Sequence, residues 1–103
     1  MSCTSLITFR VAPGRHADFE AAFERAGMLT RPRAVAGFIG AALHRGLDDP
    51  DTYIVIGQWA TADAYREWQT RSVEDTEGLA ALLDTLADVQ PGTLFRQIAG
   101  SPG

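Results

Sequence analysis

Two hydrophobic periods alternate along the chain. Ser5 to Ala12 (SLITFRVA) is short, β-branched and aromatic, and it stops at Pro13-Gly14, so it reads as a strand running into a turn. From His16 the spacing changes. Phe19, Ala22, Phe23 and Ala26 recur at i, i+3, i+4 and i+7, while Asp18, Glu24 and Arg25 fall on other faces, which predicts a helix with one buried stripe. Pro32 is expected to end that helix or break its last turn. Gly37 opens a second extended segment, Phe38 to Arg45. A polar turn, Leu47 to Asp51, separates it from Tyr53 to Trp59 (YIVIGQW), and the pair reads as an antiparallel hairpin. Thr61 is the expected N-cap of the next helix, with Asp63 in its first turn and Tyr65 and Trp68 on one face. Ser72 is expected to cap a further helix whose core period is Leu79, Leu82, Leu83 and Leu86. Pro91-Gly92 predicts a turn, Thr93 to Ile98 a last strand, and Gly100 to Gly103 a loose tail.

The predicted order, β-α-β-β-α-α-β, is that of a ferredoxin-like α+β fold, with helices on one face of a four-stranded antiparallel sheet. One domain over residues 1–103, with its core from Ser5 to Ala99, accounts for the whole length. An antiparallel sheet with one wet face alternates apolar and polar residues, and neither Tyr53-Ile54-Val55-Ile56 nor Phe38 to Leu43 does so. Both faces of the hairpin therefore want to be dry, and the chain has too few helices to cover both. Burying a second apolar face contributes about 25 cal/mol per Å². A homodimer closed through the open face is the expected solution.

Composition removes several classes of function. The chain is 46% hydrophobic and 21% charged, a globular balance, and its net charge of −4 argues against a nucleic-acid partner. All nine cationic side chains are Arg, and there is no Asn to supply a carboxamide. The single cysteine, Cys3, has no internal disulfide partner and is expected near a frayed terminus. No Cys and His pair has zinc spacing, and Asp48, Asp49 and Asp51 are too close together for a calcium loop, so no metal is expected. No apolar run approaches the roughly 18 residues of a membrane span. Met1 leads into a mixed polar segment, so a cytoplasmic protein with no membrane partner is expected.

No phosphate-cradling glycine loop or nucleophile elbow is present, so any chemistry must come from scattered side chains around a pocket. Trp59 ends a strand, and Tyr65 and Trp68 lie on the helix that follows. As core fillers these are costly, since each has a polar atom that needs a partner. As pocket walls they can stack on a flat aromatic ligand and orient it through the Tyr hydroxyl. His44, placed on the face of Phe38, Gly40 and Ala42, is a residue type suited to take a phenolic proton. His16 is expected to be solvated. Arg66 and Arg71 are surface or ion-pairing residues, either of which can neutralise a substrate anion, and Arg10 and Arg96 are expected in structural ion pairs on outer strands.

Across Leu6 to about Ile98 the chain resembles the antibiotic biosynthesis monooxygenase family of dimeric α+β barrels. The residues that carry the resemblance are VAPG at Val11 to Gly14, the Phe19/Phe23 helix, AGF at Ala36 to Phe38 and, most specifically, QWATADAYREW at Gln58 to Trp68. The resemblance implies a small oxygenase that oxidises phenolic rings of aromatic polyketides to quinones with O₂ and no flavin, haem or metal cofactor. It implies pocket positions for Trp59 and Tyr65, with His44 near a pocket histidine. His44, Tyr65 and Trp59 are then the catalytic candidates, and Trp68, Val55, Ile7, Phe9, Phe23 and Arg66 the substrate-binding ones. Val55 stands where some quinone-forming members have Asn, and Leu79 falls near an assisting Arg. The haem-degrading branch is not matched, because Ile7 and Gly78 replace its Asn and His although Trp68 is kept. A cyclase or isomerase on a similar substrate, and a non-catalytic dimer that binds small aromatics, are the alternatives.

Overall fold

The computed structural model describes residues 2–102. The first strand, β1 (Cys3–Val11), is followed by α1 (His16–Arg25) and a 3₁₀ turn at Arg31–Ala34. The hairpin β2 (Phe38–Arg45) and β3 (Thr52–Trp59) comes next, then α2 (Ala62–Ser72), α3 (Thr76–Leu83), β4 (Leu86–Val89) and β5 (Thr93–Phe95). The sheet runs β2-β3-β1-β4, all pairs antiparallel, and β5 also pairs with β1. The fold is the expected ferredoxin-like α+β arrangement with one strand more than predicted. The free edge of β1 is shared end to end. β4 pairs with its Phe9 to Val11 half and β5 with Thr4 to Leu6.

Local chemistry explains most boundaries. The α1 helix ends at Ala26 because Gly27 takes φ 68°, with its N–H donating to Glu24 O at 2.9 Å and Met28 N–H to Phe23 O at 3.4 Å. Pro32 does not stop that helix. It lies buried at the start of the 3₁₀ turn, where its missing N–H costs nothing. Thr61 caps α2 as expected, accepting from Ala64 N–H at 3.2 Å. Ser72 closes α2 instead of opening α3. The α3 cap is Asp75, which accepts from Gly78 N–H at 3.0 Å. Leu86 leaves the helical stripe for β4, because β1 offers its edge as a pairing partner there.

Cys3 is not frayed: it pairs with Trp59 in the β1–β3 ladder. Arg10 lies on β1, an inner strand, and pairs with Asp49 at 2.9 Å. His16 is not solvated. Its Nε2 lies 2.6 Å from Asp51, and its Nδ1 meets the Arg45 guanidinium. The helices cover the sheet face that carries Phe9, Tyr53 and Trp59, and leave Leu6, Ile54 and Ile56 on the other face only half-buried. Among the described residues no helix is long and apolar enough to cross a membrane.

Candidate functional site

Four rows of side chains cross β1, β3 and β2 on the helix-covered face. They are Cys3–Trp59–Phe38, Ser5–Gly57–Ala41, Ile7–Val55–Leu43 and Phe9–Tyr53–Arg45. The second row is built of small residues, so the helices that bridge the sheet find nothing to pack on there. A cavity of about 280 Å³ results. Its floor is Ser5, Gly57 and Ala41, and Ile7, Val55, Phe9 and Phe23 line its inner end. Trp59 stands at the other end. Tyr65, Trp68 and Gln69 line it from α2, one helical face at i, i+3 and i+4. Leu79 and Leu82 close it from α3. The volume is nearly twice the roughly 150 Å³ known to hold one benzene ring, which suits two or three fused rings.

The polar atoms of this cavity are few and ordered. Trp59 is 2% exposed, and its indole N–H donates to the Ser5 hydroxyl oxygen at 2.9 Å. The Trp59 ring meets Tyr65 edge-on at 5.5 Å and Phe38 at 5.1 Å, which fixes its plane. Burial holds the Tyr65 hydroxyl above the usual phenol range, and the Gln69 amide donating to its oxygen offsets part of that shift. Gly92, in the turn before β5, has to be glycine: a Cβ there would stand 1.8 Å from the Tyr65 oxygen. Trp68 carries the Arg31 guanidinium at 5.4 Å from its ring centre. The same guanidinium donates to Ala26 O at 3.1 Å and Arg71 O at 2.7 Å, tying the ends of α1 and α2 together.

The residues that line the cavity include no Asp, Glu, His, Lys, Arg or Cys, and Tyr65 is the one side chain there that can titrate. Elsewhere among the described residues, no three His, Cys, Asp or Glu side chains converge as they would to hold a metal ion. Trp59, Tyr65, Trp68, Val55, Ile7, Phe9 and Phe23 therefore border one hollow, and His44 and Arg66 do not. A bulge between Phe38 and Gly40 inserts one extra residue, so Phe38 points to the helices while Gly40, Ala42 and His44 point to the open face. His44 pairs with Ile54 there and is exposed. Arg66 is one residue beyond Tyr65, a third of a turn away on the outer side of α2, and pairs with Asp63 at 3.3 Å. Sequence reasoning missed Gln69, one helical turn beyond Tyr65, and the row Ser5, Gly57 and Ala41. The only signal for that row is that small residues become neighbours once the register is known.

A second hollow, of about 490 Å³ and more open to solvent, lies between α1 and the far end of the hairpin. Its Tyr53, Glu20 and Arg45 side chains already have partners. Tyr53 donates to Glu20 at 2.5 Å, and Arg45 bonds Pro50 O at 3.0 Å and reaches His16. The smaller, drier cavity is the better candidate, because aromatic side chains wall it and no charged residue lines it.

Known proteins share this architecture. A protein from Bordetella bronchiseptica, named for the antibiotic biosynthesis monooxygenases, superposes with a TM-score of 0.77 at 24% identity, over 95% of this chain and 98% of its own. SnoaB, a cofactor-independent oxygenase from Streptomyces nogalater, superposes with a TM-score of 0.74 at 26% identity, over 99% of this chain and 98% of its own. A protein from Chloroflexus aurantiacus, at 14% identity and a TM-score of 0.70, covers 99% of this chain and 98% of its own and shows the fold alone. No curated protein matches by sequence. The family model described as antibiotic biosynthesis monooxygenase matches residues 3–73, which takes in β1, α1, the hairpin and all of α2. The chain belongs to the antibiotic biosynthesis monooxygenase family.

Proposed function

We propose that the protein is a cofactor-independent monooxygenase that oxidises a polycyclic phenol or anthrone to a quinone with O₂. The observation that carries this reading is the apolar cavity walled by Trp59, Tyr65 and Trp68, with no charged residue in its lining. The similarity to SnoaB supports it.

The chemistry needs little from the protein beyond geometry. An anthrone that loses a proton from its methylene carbon becomes an electron-rich enolate, which can give one electron to O₂. The two radicals combine to a peroxide at that carbon, and loss of water leaves the second carbonyl. Anthrone plus O₂ thus gives anthraquinone plus H₂O, with O₂ as the only oxidant. Trp59 and Trp68 hold the rings, Tyr65 donates to the enolate oxygen, and the dry walls keep the radical pair together. His44 faces away, so the proton leaves to water at the cavity mouth. This arrangement favours an oxygenase over a cyclase or isomerase, which would need an acid–base pair that the lining lacks.

The working unit in this reading is a homodimer closed through the sheet face of Leu6, Ile54 and Ile56, which the chain's own helices leave uncovered. Purified protein should convert anthrone to anthraquinone in air with no cofactor added and should stop under nitrogen. Turnover that continues under nitrogen would mean an isomerase or cyclase. Ligand-dependent quenching of tryptophan fluorescence with no product would leave a binding protein.

A further inference from the structure

The Ser5 hydroxyl has no role in the reading above, yet it lies 5% exposed on the cavity floor at the Trp59 end. Its oxygen accepts the Trp59 indole N–H at 2.9 Å, and among the described residues its own hydrogen is donated to no partner. Gly57 stands opposite it in the ladder, where a Cβ would come within 2.6 Å of the Ser5 oxygen and 2.8 Å of Trp59 Nε1. Glycine at this point is what gives the indole–hydroxyl bond room to lie over the strand, and Ser5, Gly57 and Trp59 all line the cavity. A hydroxyl that already accepts one hydrogen bond is polarised and donates a second more strongly, the more so in a site that excludes water. Apart from the Tyr65 hydroxyl, which the reading above also gives to the ligand's oxygen, the other polar atoms nearby are less available. The indole N–H is engaged by Ser5, and Ser72 Oγ donates to Gln69 O at 2.9 Å. The lining has no charge to balance an ionised ligand, and burying one uncompensated would be prohibitive.

We infer that Ser5 is a substrate-binding residue: its hydroxyl donates to the oxygen of a neutral, flat, fused-ring ketone or phenol and so fixes which end of the rings lies against Trp59. The inference rests on the cavity being an aromatic-ligand site. It also assigns the unexpected small row of the sheet a purpose. Ser5 is the donor, and Gly57 and Ala41 are the clearance that lets the ligand's oxygen reach it.

Fluorenone and fluorene test this, since both are flat, tricyclic and stable in air and they differ by one acceptor oxygen. Dissociation constants for the two ligands are measured by calorimetry on the wild-type protein, on Ser5→Ala, and on Ser5→Ala/Trp59→Phe. The double variant removes the indole N–H that Ser5→Ala alone would leave without a partner. The wild type should bind fluorenone roughly tenfold more tightly than fluorene. Both variants should lower that ratio several-fold, with Tyr65 left as a donor in each, whatever happens to the absolute affinities. If the wild type binds the two ligands equally, or the ratio survives in both variants, Ser5 is not the donor and the aromatic cavity still stands. If both affinities fall together with the ratio intact, Ser5 only props Trp59, and the inference is overturned. If the wild type binds neither ligand, the cavity reading fails and this inference fails with it.

Discussion

The helix-covered face of one sheet carries two different interiors. At the β2–β3 turn end, Phe9, Phe19, Phe23 and Tyr53 interlock with ring centres 4.6 to 6.3 Å apart, joined by Val11, Ala22 and Leu82 into solid core. At the other end Val35, Trp59, Ala64 and Tyr65 form a second cluster beside the hollow. Both ends have large aromatics, so ring content does not separate them. The difference is in the cross-strand rows: Phe9 and Tyr53 pack their rings on Phe19 under α1, with the open hollow at their Arg45 rim, whereas Ser5–Gly57–Ala41 presents no large side chain to its helices. A packed core holds shape through contact, whereas a hollow holds it only if its walls are fixed from behind. Here the indole–Ser5 bond, the Phe38 and Tyr65 edges and the Arg31 tie supply that fixing.

The contrast can be broken most forcefully at its solid end. Phe19 is 0% exposed, and Phe19→Ala should cost about 3–5 kcal/mol in denaturant unfolding, with little change at the ligand cavity if the protein still folds. Alkaline pH probes the same end by a different route. Burial, reinforced by the hydrogen bond to Glu20, pushes the Tyr53 hydroxyl up to about 12 from the ordinary 10. Below pH 10 folded and unfolded chains both keep the proton. Between there and 12 the unfolded chain releases it first, so stability falls as pH rises through that window. The loss should be on the order of 2 kcal/mol, and Tyr53→Phe should flatten it in thermal melts taken across the window.

At the hollow end the expected effects fall on ligands before they fall on stability. Ala41→Leu adds side chain to the cavity from β2 and leaves both Ser5 and Trp59 in the sequence. It should lower affinity for a fused-ring ligand by at least about tenfold, roughly 1.4 kcal/mol, while the unfolding midpoint stays put or rises. A variant that unfolds but still binds would mean that the two interiors are not independent. Smallest of all, Arg31→Ala removes a cation from the Trp68 face and a donor from two helix ends. It should cost about 1 kcal/mol and shift Trp68 fluorescence, measured in a Trp59→Phe background to isolate that ring.

Much of the fold is legible in the chain because it is written in local periods. The Phe19/Phe23 stripe, the YIVIGQW strand, the Thr61 cap and the convergence of Trp59, Tyr65 and Trp68 follow from spacing that a helix or strand enforces on its own. Errors arose where a distant segment decides. Leu86 continues a helical repeat in sequence and joins a strand because β1 offers an edge. His16 looks like a solvated helix start until Asp51 and Arg45 arrive from the far hairpin. One inserted residue after Phe38 reverses the face of everything that follows on β2, which moves His44 from the cavity to the open side.

The sequence by itself determined the α+β class and the aromatic wall residues, because these depend on residue type and short-range spacing, whereas the uncharged lining was decided by which faces of the strands and of α2 turn inward. Tertiary structure alone decided that Ser5, Gly57 and Ala41 form one row, since they lie on three strands and meet only through hydrogen-bond register. A cavity is a deficit of side-chain volume at one point in space. No stretch of chain carries it until the strands are set side by side.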